Sequence, residues 1–190
     1  MTSTDKPGDI AHTITLIGPG GAGKSSVGVV LAERLGTAFV DLDRRFEARA
    51  GDISEYIDRF GYDAYARENV ETYCSLVHEG GGPSVVALSS GFMTYPHHVH
   101  PEYASLRASI EQSPTTFVLV PSLDCETCVA ETVRRQLERP FTRSAEKEAM
   151  VIRERFAIFV GLRARKIETM HPPTAVVDEL LAAIRSRYPA

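Results

Sequence analysis

Short apolar runs alternate with longer stretches of helical periodicity along this chain, the arrangement expected of an α/β domain. Residues 13–18 (TITLIG) form a β-rich run that stops at a glycine. Lys24–Leu35 carries Val27, Val30, Leu31 and Leu35 on one helical stripe, closed by Gly36. Residues 38–43 (AFVDLD) predict a second strand, and Asp52 with Glu55 predicts a capping box for a helix running towards Phe60. Tyr62–Glu79 reads as another helix. Residues 84–90 (SVVALSS) and 115–121 (TTFVLVP) are continuous apolar runs, as expected of strands covered on both faces. Helices are predicted over 101–112, 123–138 and 146–164, with a last short strand at 166–170. Pro173 suits the first turn of a final helix whose Val177, Leu180, Leu181, Ile184 and Tyr188 share one face. The pattern predicts a three-layer α/β/α fold around a central sheet of about five parallel strands.

The length of 190 residues fits one domain over 1–190, with residues 1–11 as a polar leader. A net charge of −4 argues against broad electrostatic binding of nucleic acid, and no apolar run is long enough to span a bilayer. The leader lacks the basic-then-apolar order of a signal peptide, which together with the cysteine usage predicts a cytoplasmic protein; a monomer without nucleic-acid or membrane partners is expected. Three cysteines, Cys74, Cys125 and Cys128, do not make a secreted disulfide scaffold. The Cys125–Cys128 pair has no second pair to complete a zinc site, and Asp124 and Glu126 disfavour a thiolate. Both are read as packing residues. His97, His98 and His100 flank prolines in a predicted loop and are read as exposed or packing residues. Tyr56 and Phe60, at helical spacing, are read as core, while Phe92 and Tyr95 are candidates for lining a pocket.

The strongest chemical signal is GPGGAGKS at residues 18–25, which satisfies GxxxxGK[ST] between a strand and a helix pattern. Its glycines let successive N–H groups turn into one concavity that holds phosphate oxygens, and the helix start adds its positive dipole end. The backbone of Gly20, Gly21, Ala22, Gly23, Lys24, Ser25 and Ser26 is therefore the candidate ATP site. Lys24 supplies a charge to the terminal phosphates, and Ser25 is placed to ligate Mg2+. No Asn-Lys-x-Asp guanine-reading motif is present, which leaves a compact phosphotransferase or a nucleotide-dependent switch.

Asp41 and Asp43 end the second predicted strand. Residues i and i+2 of a strand point to the same side, so both carboxylates are expected at one place beside the phosphate loop. One would hold Mg2+ and the other would orient or deprotonate an acceptor hydroxyl. In the plainer alternative Asp43 only caps the next helix.

These residues, with Gly51-Asp-Ile-Ser-Glu-Tyr-Ile, Phe60-Gly61, Arg139-Pro140-Phe141 and the later Arg155-Phe-Ala-Ile-Phe159, resemble the shikimate kinase family in order and spacing. The resemblance implies ATP-dependent phosphorylation of a ring hydroxyl on a small cyclic carboxylate, most directly shikimate, a step in aromatic amino-acid biosynthesis. It implies that Asp41 sits near Mg2+, that Asp43 is the base, and that Arg139 is a catalytic arginine on a lid spanning 139–150. It further implies that Arg155 binds the substrate carboxylate and that Arg135 lies against adenine.

The acceptor side departs from the family pattern. Where the family has three glycines after its third strand, this chain has Ser89-Ser90-Gly91, so only Gly91 matches. Where the family has Phe-Arg-x-x-Glu, this chain reads Tyr65-Ala66-Arg67-Glu68-Asn69, with Arg67 one place late as the candidate substrate ligand. One residue is about 100° of helix rotation. A sibling kinase acting on a related polyol or cyclic acid is therefore the alternative, with a nucleotide-binding sensor that has lost transfer behind it. Retention of Lys24, Ser25, Asp41, Asp43 and Arg139 speaks against the sensor.

Overall fold

The computed structural model describes residues 13–80, 82–138 and 144–187. Five strands, β1 (Ile14–Ile17), β2 (Ala38–Asp41), β3 (Ser84–Ala87), β4 (Thr116–Val120) and β5 (Arg165–Glu168), form one sheet in the order β2-β3-β1-β4-β5. Every neighbouring pair is parallel. The helices are α1 (Lys24–Leu35), α2 (Leu42–Ala50), α3 (Ile53–Phe60), α4 (Tyr62–Glu79), α5 (Tyr103–Gln112), α6 (Cys125–Leu137), α7 (Ala145–Gly161) and α8 (Pro173–Arg187).

The continuous apolar runs follow from burial on both faces. Ile14 and Leu16 of β1 point with Val85, Phe117, Leu119 and Ile167 towards Val27 and Leu31 of α1 and Val177, Leu180 and Ile184 of α8. Ile17, Val86, Val118 and Val120 point the other way, against Leu42 and Phe46 of α2, Ala66 and Val70 of α4, Tyr103 of α5, Cys128 of α6 and Phe159 of α7. Side chains alternate across each strand, so Ile14 and Leu16 of β1 serve one core and Ile17 the other. This is the predicted three-layer architecture.

Sequence and structure differ most between the second strand and α3. The strand stops at Asp41, and α2, absent from the sequence prediction, starts at once with Leu42. Asp41 caps it, accepting the N–H of Asp43 at 3.0 Å. Only Leu42 and Phe46 of α2 are buried, at i and i+4, and the other seven positions of LDRRFEARA are polar or small. Two apolar residues are too faint a stripe to register as periodicity, yet they are enough to seat the helix on the sheet. Asp41 and Asp43 therefore do not share a strand face. Phe60 also departs from expectation: it is 52% exposed, stacked on half-buried Tyr56 at 4.7 Å and lying under the Arg59 guanidinium at 4.9 Å. Phe92 is fully buried and belongs to the core.

Positions 145–150 of the predicted lid are the first turns of α7, which Ser144 caps through the N–H of Lys147. The remainder of that lid, residues 139–143, lies outside the described residues, as do Arg139, Tyr188 and the predicted leader. Among the described residues, no helix is long and apolar enough to cross a membrane.

The edge of β1 is tightly packed. Gly18 has φ +148°, and a Cβ there would stand 2.1 Å from the Leu119 carbonyl oxygen. Gly36 also has positive φ, +65°, but nothing lies within 4 Å of its Cβ position. Gly36→Ala should therefore cost about 1 kcal/mol, the left-handed penalty alone. Gly18→Ala must also displace backbone and should cost about 3 kcal/mol or more. Urea unfolding of the two variants measures the difference, and equal costs would mean that β4 yields freely at this contact.

Candidate active site

The turn from β1 to α1 is the phosphate loop. Gly23, at φ 87°, ends it, and no side chain caps the start of α1, so the helix N-terminus is left to an anion. Lys24 is the first helical residue, and its ammonium group donates to the carbonyls of Gly18 at 2.8 Å and Pro19 at 3.0 Å. The charge thus lies over the loop rather than out in solvent.

Two other elements brace the loop from behind. Thr169, just beyond β5, donates its hydroxyl to the Ala22 carbonyl at 2.9 Å. Arg135 of α6 donates to the Gly21 carbonyl at 3.2 Å, to the Thr169 hydroxyl at 3.3 Å and to the Thr169 carbonyl at 2.7 Å. Glu131 holds the Arg135 Nε at 2.6 Å. The Glu131 carboxyl is held down to about 2 by hydrogen bonds from Arg134 and then Arg135. The guanidinium that the resemblance places against adenine is, in this structure, fastened to the loop backbone. Gln136 fills the space beside Gly20, where a Cβ would fall 2.2 Å from its Nε2. Neither Thr169 nor Gln136 carries a motif that sequence reading could have found.

The two carboxylates serve different neighbours. Ser25 donates its hydroxyl to Asp41 Oδ2 at 2.6 Å, which ties the end of β2 to the start of α1. Hydroxyl and carboxylate are hard oxygen donors, the set that suits Mg2+. Asp43 stands one step further on, in the first turn of α2. Its charge helps to raise the tyrosine hydroxyls of Tyr65 and Tyr95, whose main cause of elevation is burial. Tyr65 is pushed up to about 12, and Tyr95 lies well above its ordinary value. Both remain proton donors at any physiological pH. Burial raises Glu47, one turn along α2 from Asp43, and the charges of Asp43, Asp52 and Asp41 add to the rise.

The acceptor side is built from α4 and the end of β3. Tyr62, Tyr65 and Asn69 lie on one face of α4. Asn69 is fully buried and donates to the Tyr65 hydroxyl at 3.0 Å and to the Ser89 hydroxyl at 2.8 Å. Ser90 faces the phosphate loop near Gly20. Gly91 is covered by Tyr62, Tyr95 and Arg155, and Arg155 Nη2 donates to the Tyr62 hydroxyl at 2.9 Å. Arg67 is not in this group. It lies about 200° around α4 from Tyr65, and its Nε donates to the Val99 carbonyl at 3.2 Å. Ala66 is fully buried in the core. The structure thus gathers Lys24, Ser25, Asp41, Asp43, Gly91 and Arg155 along one sheet edge and leaves Arg67 aside. Tyr95, a pocket-lining candidate from the sequence, joins this ring cluster, whereas Tyr62, Tyr65 and Asn69 were missed because their sequence signal was only the altered motif itself.

The remaining candidates stand apart from this edge. Cys74 and Cys128 are buried, and burial pushes the Cys74 thiol up to about 11 and raises Cys128 as well. His97 and His98 are exposed, and His100 faces Glu71 at 3.2 Å. Among the described residues, no group of three or more His, Cys, Asp or Glu side chains could hold a metal ion.

The family model for shikimate kinase matches residues 20–185. A shikimate kinase of Paramagnetospirillum magneticum is 44% identical over 90 residues, which cover 47% of this chain and 45% of that protein. The chain thus spans about half the length of that relative. A shikimate kinase of Bradyrhizobium diazoefficiens is 29% identical over 181 residues, covering 93% of this chain and 81% of that protein. In three dimensions the shikimate kinase of Acinetobacter baumannii, solved in complex with shikimate, has the same fold. It has a TM-score of 0.73 at 24% identity and covers 96% of this chain and 97% of that one.

The brace behind the loop can be tested at one atom. Thr169→Val keeps the shape but removes the hydroxyl from the Ala22 carbonyl and from Arg135. It should cost about 1–3 kcal/mol of stability, the penalty for a buried acceptor left unpaired. ATP should also bind several-fold more weakly. Calorimetry of unfolding and of ATP binding reads both, and unchanged values would mean that the loop holds its own shape.

Proposed function

Because this chain belongs to the shikimate kinase family, matched over residues 20–185, we propose that it transfers the terminal phosphoryl group of ATP to a ring hydroxyl of a small cyclic carboxylate, shikimate first. The observation that carries this reading is the division of the two carboxylates. Asp41 faces the Ser25 hydroxyl of the phosphate loop, while Asp43 stands towards the tyrosine-lined acceptor side.

The loop backbone from Gly20 to Ser26 cradles the phosphates, and Lys24 leaves its two carbonyl partners to meet them. Ser25 and Asp41 would hold Mg2+, which when bound neutralises phosphate charge. Asp43 accepts the proton of the acceptor hydroxyl as its oxygen attacks the terminal phosphorus, and ADP departs. Arg155 binds the acceptor carboxylate with its planar fork, over the bare backbone of Gly91. Arg139, outside the described residues, is assigned to the transferring phosphoryl group, and Arg135 to the nucleotide side. Closure around the site would exclude water and limit ATP hydrolysis. The same reading places the reaction in the cytoplasm.

One observation favours the sibling kinase as the second reading. Ala66 is buried in the core and Arg67 is engaged with the Val99 carbonyl. The acceptor side therefore presents fewer cations than a strongly acidic substrate would call for.

Release of ADP from Mg2+–ATP should be followed with shikimate, quinate, gluconate and neutral polyols. Shikimate-dependent turnover at an ordinary enzyme rate is the expected result; turnover with another acceptor alone would transfer the assignment to the sibling reading. Asp43→Asn should lower the rate of transfer by about 10²–10⁴-fold while leaving ATP affinity within about twofold. An Asp43→Asn enzyme of full activity would remove Asp43 as the base.

A further inference from the structure

Three groups from three elements close over one patch of bare backbone. A Cβ built on Gly91 would stand 2.5 Å from the Tyr62 hydroxyl, 3.0 Å from Tyr95 Cε1 and 3.4 Å from Arg155 Nη2. Tyr62 reaches this point from the first position of α4, directly after Gly61, whose φ of 86° turns the chain out of α3. Its ring lies 5.7 Å from Tyr65 and 6.1 Å from Tyr95, so contacts on two sides fix its position. The residue is nevertheless 39% exposed, open to whatever enters from solvent.

The polarity of the Arg155–Tyr62 contact is unambiguous. A guanidinium has donors only, so Arg155 Nη2 donates and the phenol oxygen accepts, at 2.9 Å. The hydroxyl proton of Tyr62 must point elsewhere, and no acceptor for it lies among the described residues. A cation donating to a hydroxyl oxygen makes that hydroxyl a stronger donor in its turn. The neighbouring Tyr65 hydroxyl is engaged by Asn69 at 3.0 Å. Arg67 of α4, the other candidate cation for an acceptor, donates to the Val99 carbonyl.

We propose that Tyr62 determines acceptor specificity: its hydroxyl and Arg155, meeting over Gly91, form a two-donor clamp for the carboxylate of the acceptor. A carboxylate accepts on both oxygens, one facing the guanidinium and one the tyrosine proton. The tyrosine supplies a second donor without a second cation, so the clamp suits an acceptor carrying one negative charge. Its ring closes the pocket over the glycine at the same time. The inference rests on the reading of this site as one for a carboxylate-bearing acceptor, and its test separates the two.

Tyr62→Phe removes one oxygen and keeps the ring contacts. Binding of shikimate and of its carboxamide, which has the same ring without the charge, is measured by calorimetry with ADP present, alongside turnover with ATP. The variant should bind shikimate about tenfold more weakly, as expected for one charge-assisted hydrogen bond. Its affinity for the carboxamide should change less than about twofold, and its melting temperature should match the parent's. If Tyr62→Phe bound shikimate as tightly as the parent protein, the clamp would be overturned. Equal weakening of both ligands would also overturn it, because that result describes packing alone. If the parent bound shikimate with this tenfold dependence yet turned nothing over, the activity reading would fail and the clamp would stand. If the parent bound neither ligand, both would fall.

Discussion

Chemistry at the carboxyl edge of this sheet depends on how closely the turn after β1 approaches β4. Gly18 lets the chain pass against the Leu119 carbonyl in a conformation that side chains rarely adopt. From that point Lys24 folds back onto the Gly18 and Pro19 carbonyls, and the loop is braced from behind by Thr169 on Ala22 and Arg135 on Gly21. A phosphate cradle made of N–H groups works only if those groups hold their direction before the ligand arrives, because ordering them during binding would consume affinity. The brace supplies that order from β5 and α6, so elements far apart in sequence set the geometry of eight consecutive residues.

The same edge gathers positive charge in an acidic protein. The chain carries −4 overall, but Lys24, Arg135 and Arg155 all lie around the loop or the acceptor side. The acidic groups near them are segregated. Glu131 is neutralised by Arg134 and Arg135, and Asp41 is turned towards Ser25. Asp43 and Glu47 stand together on α2, where burial and then the charge of Asp43 raise Glu47. Local field rather than bulk charge matters within a site of this size, because screening erases the distant contributions within about 10 Å.

The sheet, its parallel sense and the phosphate loop were legible in the sequence because each rests on a local pattern. Continuous apolar runs mark doubly covered strands, and GxxxxGK[ST] carries its own geometry. The junction at Asp41 was not legible. Alternation carried through Asp43 would place both carboxylates on one face, whereas Leu42 and Phe46 find a better seat in the first turns of a helix. Tertiary burial of two side chains overrode a strand reading that four apolar residues in AFVDLD had favoured. The bracing role of Arg135 was equally hidden, since its partners Gly21 and Thr169 are 114 and 34 residues away.

The acceptor side shows why single substitutions in a motif are hard to interpret one at a time. Ala66, Asn69 and Ser89 make one unit in the fold. Asn69 is fully buried, and its amide spans the Tyr65 hydroxyl on its own helix and the Ser89 hydroxyl at the end of β3. A carboxylate at position 69 would need a cation within reach, and Ala66, turned into the core, cannot provide one. An amide needs none. An alanine at 66 and an amide at 69 therefore agree with each other, and Ser89 gives the amide a second partner that a glycine could not. The outcome is a neutral, hydrogen-bonded floor beneath the tyrosines. The cation on this side stands at the rim, where Arg155 meets Tyr62. A floor without cations is compatible with the proposed acidic acceptor, provided that acceptor is held from the rim alone.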